Sequence, residues 1–238
     1  MPSKTIIVTG ASSGIGLALT RAFLERGHHV VANSRRISTA GTLAPSEALS
    51  LVDGDIAQPD VAARVIDATE RFGGLDLLVN NAGVFIPKPF TDYTPDDFAA
   101  LVATNLTGFL HVTQAAVRRM RAQRAGHVVT ITTSLADQPV AGVSAALPIL
   151  TKAGLNGVTK ALAIEHAVEG IRFNAVAPGI IDTPMHKPEA HGFLKQLHPI
   201  ARLGTPEEIV EAVLYLDGAT FVSGEVLHVD GGAHAGRW

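Results

Sequence analysis

TGASSGIG, residues 9–16, is the stretch on which the fold turns. It follows the apolar run TIIV (5–8) and opens a segment, Ile15 to Glu25, whose apolar residues fall at helical spacing until Gly27 interrupts them. Strand, glycine loop and helix in this order make a phosphate-binding turn. Gly10 permits a tight exit from the strand, Gly14 lets the backbone approach phosphate oxygens, and Gly16 allows close packing where the helix begins. The free amide N–H groups of the first helical turn then face the anion. A glycine-rich turn alone is a weak signal; the strand before it and the helix after it give it weight.

Working outward, the same alternation repeats. HHVVANS (28–34) and LSLVDGD (49–55) read as strands, VAARVIDATERF (61–72) as a helix, and LDLLVNNAG (75–83) as a strand running into a loop. Helical segments around Asn105 span about 95–121, GHVVTITTS (126–134) is strand-like, and TKAGLNGVTKALAIEHA (151–167) is a long helix. RFNAVAP (172–178) and VLHVDGG (226–232) are the last strands, separated by a helix that starts at TPEE, with Thr205 as N-cap, Pro206 in the first turn and Glu208 three residues after the cap. Alternation of this kind predicts βαβ units, a mostly parallel sheet and helices on both faces. There is no internal repeat, low-complexity tract or linker, so one domain over 1–238 is expected. The irregular stretch at 182–203, rich in Pro, Gly and His, is either a surface connection or a substrate lid.

Composition bounds the chemistry. A formal charge of −3, from 19 Lys and Arg against 22 Asp and Glu, gives no general attraction to nucleic acid or anionic membrane. With no cysteine there is no disulfide, thiolate nucleophile or Cys-based metal site. His186, His191 and His198 do not form a compact ligand pattern, so no metal is expected. The chain shows neither a secretory leader nor a membrane-length apolar run, and a cytoplasmic protein is expected.

TGASSGIG, NNAG (80–83), NLTG (105–108), Lys152, APGIIDTP (177–184) and SGEVLHVDGG (223–232) occur in an order that resembles the short-chain dehydrogenase/reductase family over nearly the whole chain. The resemblance implies a Rossmann-type doubly wound α/β fold with a seven-stranded parallel sheet. It also implies a homodimer or homotetramer acting on a small-molecule substrate. Ser12, Ser13, Gly14, Ile15 and Gly16 would line the dinucleotide phosphates, and Asp55 and Ile56 the adenine. Asn81, Ala82 and Gly83 would lie near the adenosine ribose, Lys152 at the nicotinamide ribose, and Pro178, Gly179, Ile180 and Thr183 around the nicotinamide and phosphate end.

Cofactor preference is read after the second strand. NAD-binding relatives of this fold carry an acidic residue there; here the slot is Ser34, followed by Arg35 and Arg36. Guanidinium groups engage a phosphate with several directed donors, so NADP(H) is favoured over NAD(H). A basic turn that meets only water is the alternative.

The family's reaction implies a serine, a tyrosine, a lysine and an asparagine. Asn105 and Lys152 match, and Ser134 is the best match to the serine, with Thr133 leaving the register open. Four residues before Lys152, where the tyrosine is expected, stands Pro148. Spacing i, i+4 would put a phenol and an ammonium on one helix face. A proline suits a helix start but offers no hydroxyl. Tyr93 and Tyr215 are the only tyrosines, and neither falls where it would replace the missing group. Two functions stay open: an atypical NADP-dependent oxidoreductase acting on a small carbonyl or alcohol, or a catalytically inactive nucleotide-binding sensor or structural protein.

Overall fold

The computed structural model describes residues 2–236. Its centre is β1 (Thr5–Thr9), all five residues of which are buried. A strand covered on both faces needs an unbroken apolar run rather than an alternating one, and TIIVT supplies it. Alternate side chains still part company: Ile6 and Val8 join one core, Ile7 the other.

Around β1 come α1 (Gly14–Glu25), β2 (His29–Ser34), β3 (Leu49–Asp53), α2 (Pro59–Asp67), β4 (Leu77–Asn80) and α3 (Pro95–Val102). The second half contributes α4 (Gly108–Gln123), β5 (Gly126–Ile131), α5 (Ala146–Glu165), β6 (Ile171–Pro178), α6 (His191–Leu194), α7 (Pro206–Gly218) and β7 (Val226–Val229). All seven strands are parallel, in the order β3-β2-β1-β4-β5-β6-β7. This is the parallel α/β sheet expected from the alternation and the Rossmann-type fold implied by the family resemblance. One core packs Leu19 and Phe23 of α1 with Ile209, Val213 and Leu216 of α7. The other packs Val61 and Val65 of α2 with Val112, Ala116 and Met120 of α4. The direction of winding reverses between β1 and β4, and the crevice at their carboxyl ends is where such sheets receive ligands.

Local departures from the sequence reading have local causes. The helix expected over 61–72 ends at Asp67 and resumes as a 3₁₀ turn at Glu70–Phe72. Between them the buried Thr69 hydroxyl donates to the Ile66 carbonyl at 2.7 Å, a side-chain bond that competes with helix continuation. The strand expected over 126–134 ends at Ile131, and Ser134 begins a 3₁₀ turn. At α7 the expected cap forms: the Thr205 N–H donates to Glu208 Oε2 at 2.8 Å, and Arg202 reinforces that carboxylate at 2.9 and 2.6 Å.

A polar network closes the opposite end of the sheet. Arg172 donates to the carbonyls of Leu216, Ala219 and Val222 at 3.0, 3.2 and 2.8 Å, satisfying the C-terminal end of α7. Its other nitrogen donates to His127 Nδ1 at 3.1 Å. His127 is 3% exposed, and burial lowers its pKa to about 4. Among the described residues no helix is long and apolar enough to cross a membrane.

Candidate active site

The glycine turn is assembled by contacts that leave no room for side chains. A Cβ on Gly16 would lie 2.3 Å from the Gly10 carbonyl oxygen and 2.5 Å from Asn81 Nδ2. Thr9, at the end of β1, ties this turn to the next loop. Its hydroxyl oxygen accepts the N–H groups of Asn81 and Ala82, both at 3.0 Å, while Asn81 Nδ2 donates to the Thr9 carbonyl at 2.9 Å. The segment after β6 closes the turn from the far side, with Thr183 Cγ2 3.2 Å from where a Gly14 Cβ would stand.

A cavity of about 600 Å³ opens here. Gly10, Ser12, Ser13, Gly14 and Ile15 line it at one end, with Ser34, Arg35, Asp55 and Ile56 beside them. Asn81, Ala82, Gly83, Ser134 and Lys152 follow, and Pro178, Gly179, Ile180 and Thr183 form a further wall. Three of the expected residues lie off this wall. Gly16 sits behind the turn as packing, and Asn105 lies deeper. Arg36 is exposed and off the lining, because the next residue, Ile37, is 2% exposed and draws the chain back to the core.

Asn105 occupies a π-helical turn, Ala103–Thr107, between α3 and α4. Its amide reads the Val84 backbone in both directions: Val84 N–H donates to Asn105 Oδ1 at 2.9 Å, and Asn105 Nδ2 donates to the Val84 carbonyl at 3.1 Å. Asn105 Nδ2 also donates to Thr151 Oγ1 at 3.0 Å, which joins it to α5 one residue before Lys152. Such turns recur at functional positions because the extra residue re-aims a side chain.

Lys152 reaches across to β5, where its Nζ donates to the carbonyls of Ile131 and Thr132 at 2.9 and 3.3 Å. The residue has one side on the cavity, yet its ammonium sits among packed atoms, and burial lowers its pKa to about 8. Beside Lys152 and Asn105 is a pocket of about 10 Å³, large enough for one water molecule. Thr133 and Ser134 both line the main cavity; the Thr133 hydroxyl oxygen takes the Leu135 N–H at 3.4 Å, and Ser134 is 4% exposed.

Pro148 is buried at the third position of α5, after the N-cap Ala145, where a missing N–H forfeits no intrahelical bond. Tyr93 is engaged elsewhere, its hydroxyl donating to the Ile86 carbonyl at 2.7 Å, and Tyr215 is 60% exposed on α7. Asp137 pairs with His228 Nε2 at 2.8 Å. His186 and His198 line the cavity, a role their sequence spacing did not signal. Thr9 and Thr151 were equally silent in the sequence, because their partners lie 72 and 46 residues away. Among the described residues no group of three or more His, Asp or Glu side chains could hold a metal ion.

The chain matches, over residues 10–234, a family model described as enoyl-(acyl carrier protein) reductase. It is 36% identical over 253 aligned positions to a 3alpha-hydroxysteroid dehydrogenase of Mediterraneibacter gnavus, covering 99% of this chain and 98% of the relative. It is 34% identical to the 3-oxoacyl-[acyl-carrier-protein] reductase FabG of Vibrio cholerae, with 98% of each chain covered. The solved structure of ElxO with NADP bound superposes with a TM-score of 0.90 at 29% identity, covering 99% of this chain and all of the other. The ordered motifs, the winding of the sheet and these matches along its whole length agree: the chain belongs to the short-chain dehydrogenase/reductase family of NAD(P)-dependent oxidoreductases.

Proposed function

We propose that this protein is an atypical NADP(H)-dependent oxidoreductase acting on a small, uncharged and largely apolar carbonyl or alcohol. The observation that carries the reading is the continuity of one cavity from the glycine turn and Arg35 to Lys152 and Ser134. The residues fit a dinucleotide phosphate group: the turn is a cradle that a Cβ would fill, and Ser34 with Arg35 offers room and a cation where a ribose phosphate needs both. ElxO, solved with NADP, supports the same preference. Beyond Lys152 the lining includes Phe85, Leu135, Val140, Val143, Met185 and Phe193, with Gln138, Ser144 and His186 as polar contacts and no Asp, Glu, Lys or Arg side chain. A carboxylate or phosphate substrate would find no arginine or further lysine there, and burial disfavours the charged form of His186.

When bound, the nicotinamide supplies or takes the hydride. The chain's task is then to hold the substrate oxygen and move a proton at it. Ser134, on the cavity wall, would hydrogen-bond that oxygen through its hydroxyl, and Lys152 carries a proton at Nζ near neutral pH. Pro148 stands where the family's tyrosine is expected, so the proton comes from Lys152 or from a water held beside Asn105. The segment over 182–203, with Met185 and Phe193 on the cavity, serves as the substrate lid. The exposed apolar side chains Leu110, Ile164 and Val168 on and after α4 and α5 fit a homo-oligomer; a monomer sedimenting unchanged at high concentration would count against it.

A second reading has its own support: with Pro148 buried and the Tyr93 hydroxyl committed, the described site lacks a phenol, as a nucleotide-binding sensor would allow. Equilibrium titration with NADPH and NADH, followed by turnover over ketones, aldehydes, imines and activated alkenes, separates the two. NADPH should bind more tightly, and R35A should cost NADPH on the order of tenfold while sparing NADH. Equal binding of both nucleotides, unmoved by R35A, removes the NADP preference. Tight binding without turnover on any of these compounds transfers the assignment to the sensor.

A further inference from the structure

The chain leaves the sheet after β6 and returns before α7 through a closed neck. Ile181 and Gly204 form a parallel bridge, Gly204 N–H donates to the Ile180 carbonyl at 3.0 Å, and Asp182 N–H donates to the Gly204 carbonyl at 2.8 Å. From within the excursion that this neck closes, one side chain reaches back to the cavity wall. The Ile180 N–H donates to His198 Nε2 at 2.9 Å. His198 is 4% exposed and lines the cavity.

The surroundings are shaped to the ring. A Cβ on Gly179 would lie 2.5 Å from His198 Nε2, and one on Gly231 would lie 3.5 Å from His198 Cβ. Because Nε2 accepts a bond, the neutral ring carries its proton on Nδ1, which is buried near the Arg202 backbone but makes no hydrogen bond of good geometry. An aliphatic side chain could fill this space, but it could not take the Ile180 amide.

We propose that His198 is a positioning residue that fixes the Ile180 wall of the cofactor cavity and does so only as the neutral Nδ1–H ring. The functional consequence rests on the dinucleotide reading above; the tie itself does not. Protonation places N–H groups on both ring nitrogens, so Nε2 would turn a donor toward the Ile180 donor and the attraction would become repulsion. Burial is the main influence on the ring and disfavours its charge. The backbone of Arg202 and the carboxylate of Asp230 oppose burial, and the Arg202 guanidinium adds to it. The balance holds the pKa below the ordinary histidine value, so the tie is intact at neutral pH and breaks on acidification.

The test pairs His198→Gln, which keeps an acceptor but cannot titrate, with His198→Leu, which keeps bulk without an acceptor. Ile180 amide hydrogen exchange is followed in the chain without nucleotide, and NADPH affinity is titrated between about pH 8 and about pH 5. Exchange at Ile180 should quicken by roughly tenfold or more in H198L and stay near wild type in H198Q. NADPH affinity should fall by on the order of tenfold in H198L at neutral pH, and acid should weaken it more in wild type than in H198Q. Nitrogen NMR shifts of unmutated His198 should report an unprotonated Nε2 at neutral pH. A protonated Nε2, an H198L exchange rate equal to wild type, or the same acid response in wild type and H198Q overturns the proposal. If Ile180 exchange behaves as expected but the wild-type protein does not bind NADPH, the tie stands and the dinucleotide reading fails.

Discussion

Gly16→Ala sets two effects of opposite sign against each other inside α1. Replacing glycine by alanine within a helix gains up to about 1 kcal/mol from the unfolded chain. Here the new methyl would lie 2.3 Å from the Gly10 carbonyl oxygen and 2.9 Å from its carbon, both backbone atoms that cannot swing aside. It would also meet Asn81 Nδ2 at 2.5 Å, the atom that donates to the Thr9 carbonyl. Overpacking of this kind costs about 1–3 kcal/mol, and a displaced buried hydrogen bond about 1 kcal/mol more. The steric loss wins, leaving a net destabilisation of about 1–3 kcal/mol. Gly218→Ala is the matched control: its Cβ meets nothing within 4 Å at the end of α7, so the change should be neutral or slightly stabilising. Urea denaturation midpoints at constant slope read both, and NADPH titration reads the turn. A G16A protein as stable as G218A, with wild-type NADPH affinity, would refute the argument that the close approach of Gly10, Gly16 and Asn81 builds the site.

Two further outcomes follow from titrating groups. His127, held neutral in the folded chain with a pKa of about 4, is protonated first in the unfolded chain, so its contribution is complete above about pH 6.5 and is lost as pH falls toward 4. The loss should be about 3 kcal/mol, at about 1.4 kcal/mol per pKa unit. Urea unfolding across that window should show a shallower slope for H127Q than for wild type, and parallel slopes would discard the assignment. If Lys152 donates the proton, reductive turnover should fall as pH rises through about 8, where its ammonium is lost, and the mirror oxidation should rise. Lys152→Arg cannot deprotonate in this range; a high-pH limb that persists in an active K152R protein would place the donor elsewhere.

The parts of the molecule legible in the sequence are those written by near neighbours. TIIVTGASSGIG carries strand, turn and helix in twelve consecutive residues, and TPEE carries its own cap. Strand order is different: Ile6 pairs with Leu77 and Ala175 with Val226, and no local pattern chooses those partners. The site divides the same way. Lys152 and Asn105 could be picked out by motif, but the carbonyls that hold Lys152 belong to the last residue of β5 and the residue after it, and the backbone that holds Asn105 belongs to the loop after β4. Arg36 was grouped with Arg35 because adjacency suggested a shared task, whereas Arg35 lines the cavity and Arg36, next to the buried Ile37, does not. His198 was weighed as a metal ligand when its partner is an amide eighteen residues earlier.

The π-helical turn at Ala103–Thr107 changes which kind of mutation matters there. A helix is a screw, and each residue advances it by about 100°. A turn holding one residue too many stores that rotation as a fixed offset between α3 and α4. Substitution at Thr104 or Leu106 alters a side chain and leaves the offset untouched. Deleting either residue would let the thread run true, but it would rotate everything on one side relative to the other. Asn105 could then not face Val84 while both α3 and α4 kept their present packing. Residue count is therefore constrained in this stretch beside the identity of Asn105, and a sequence altered at Thr104 should still hold its length.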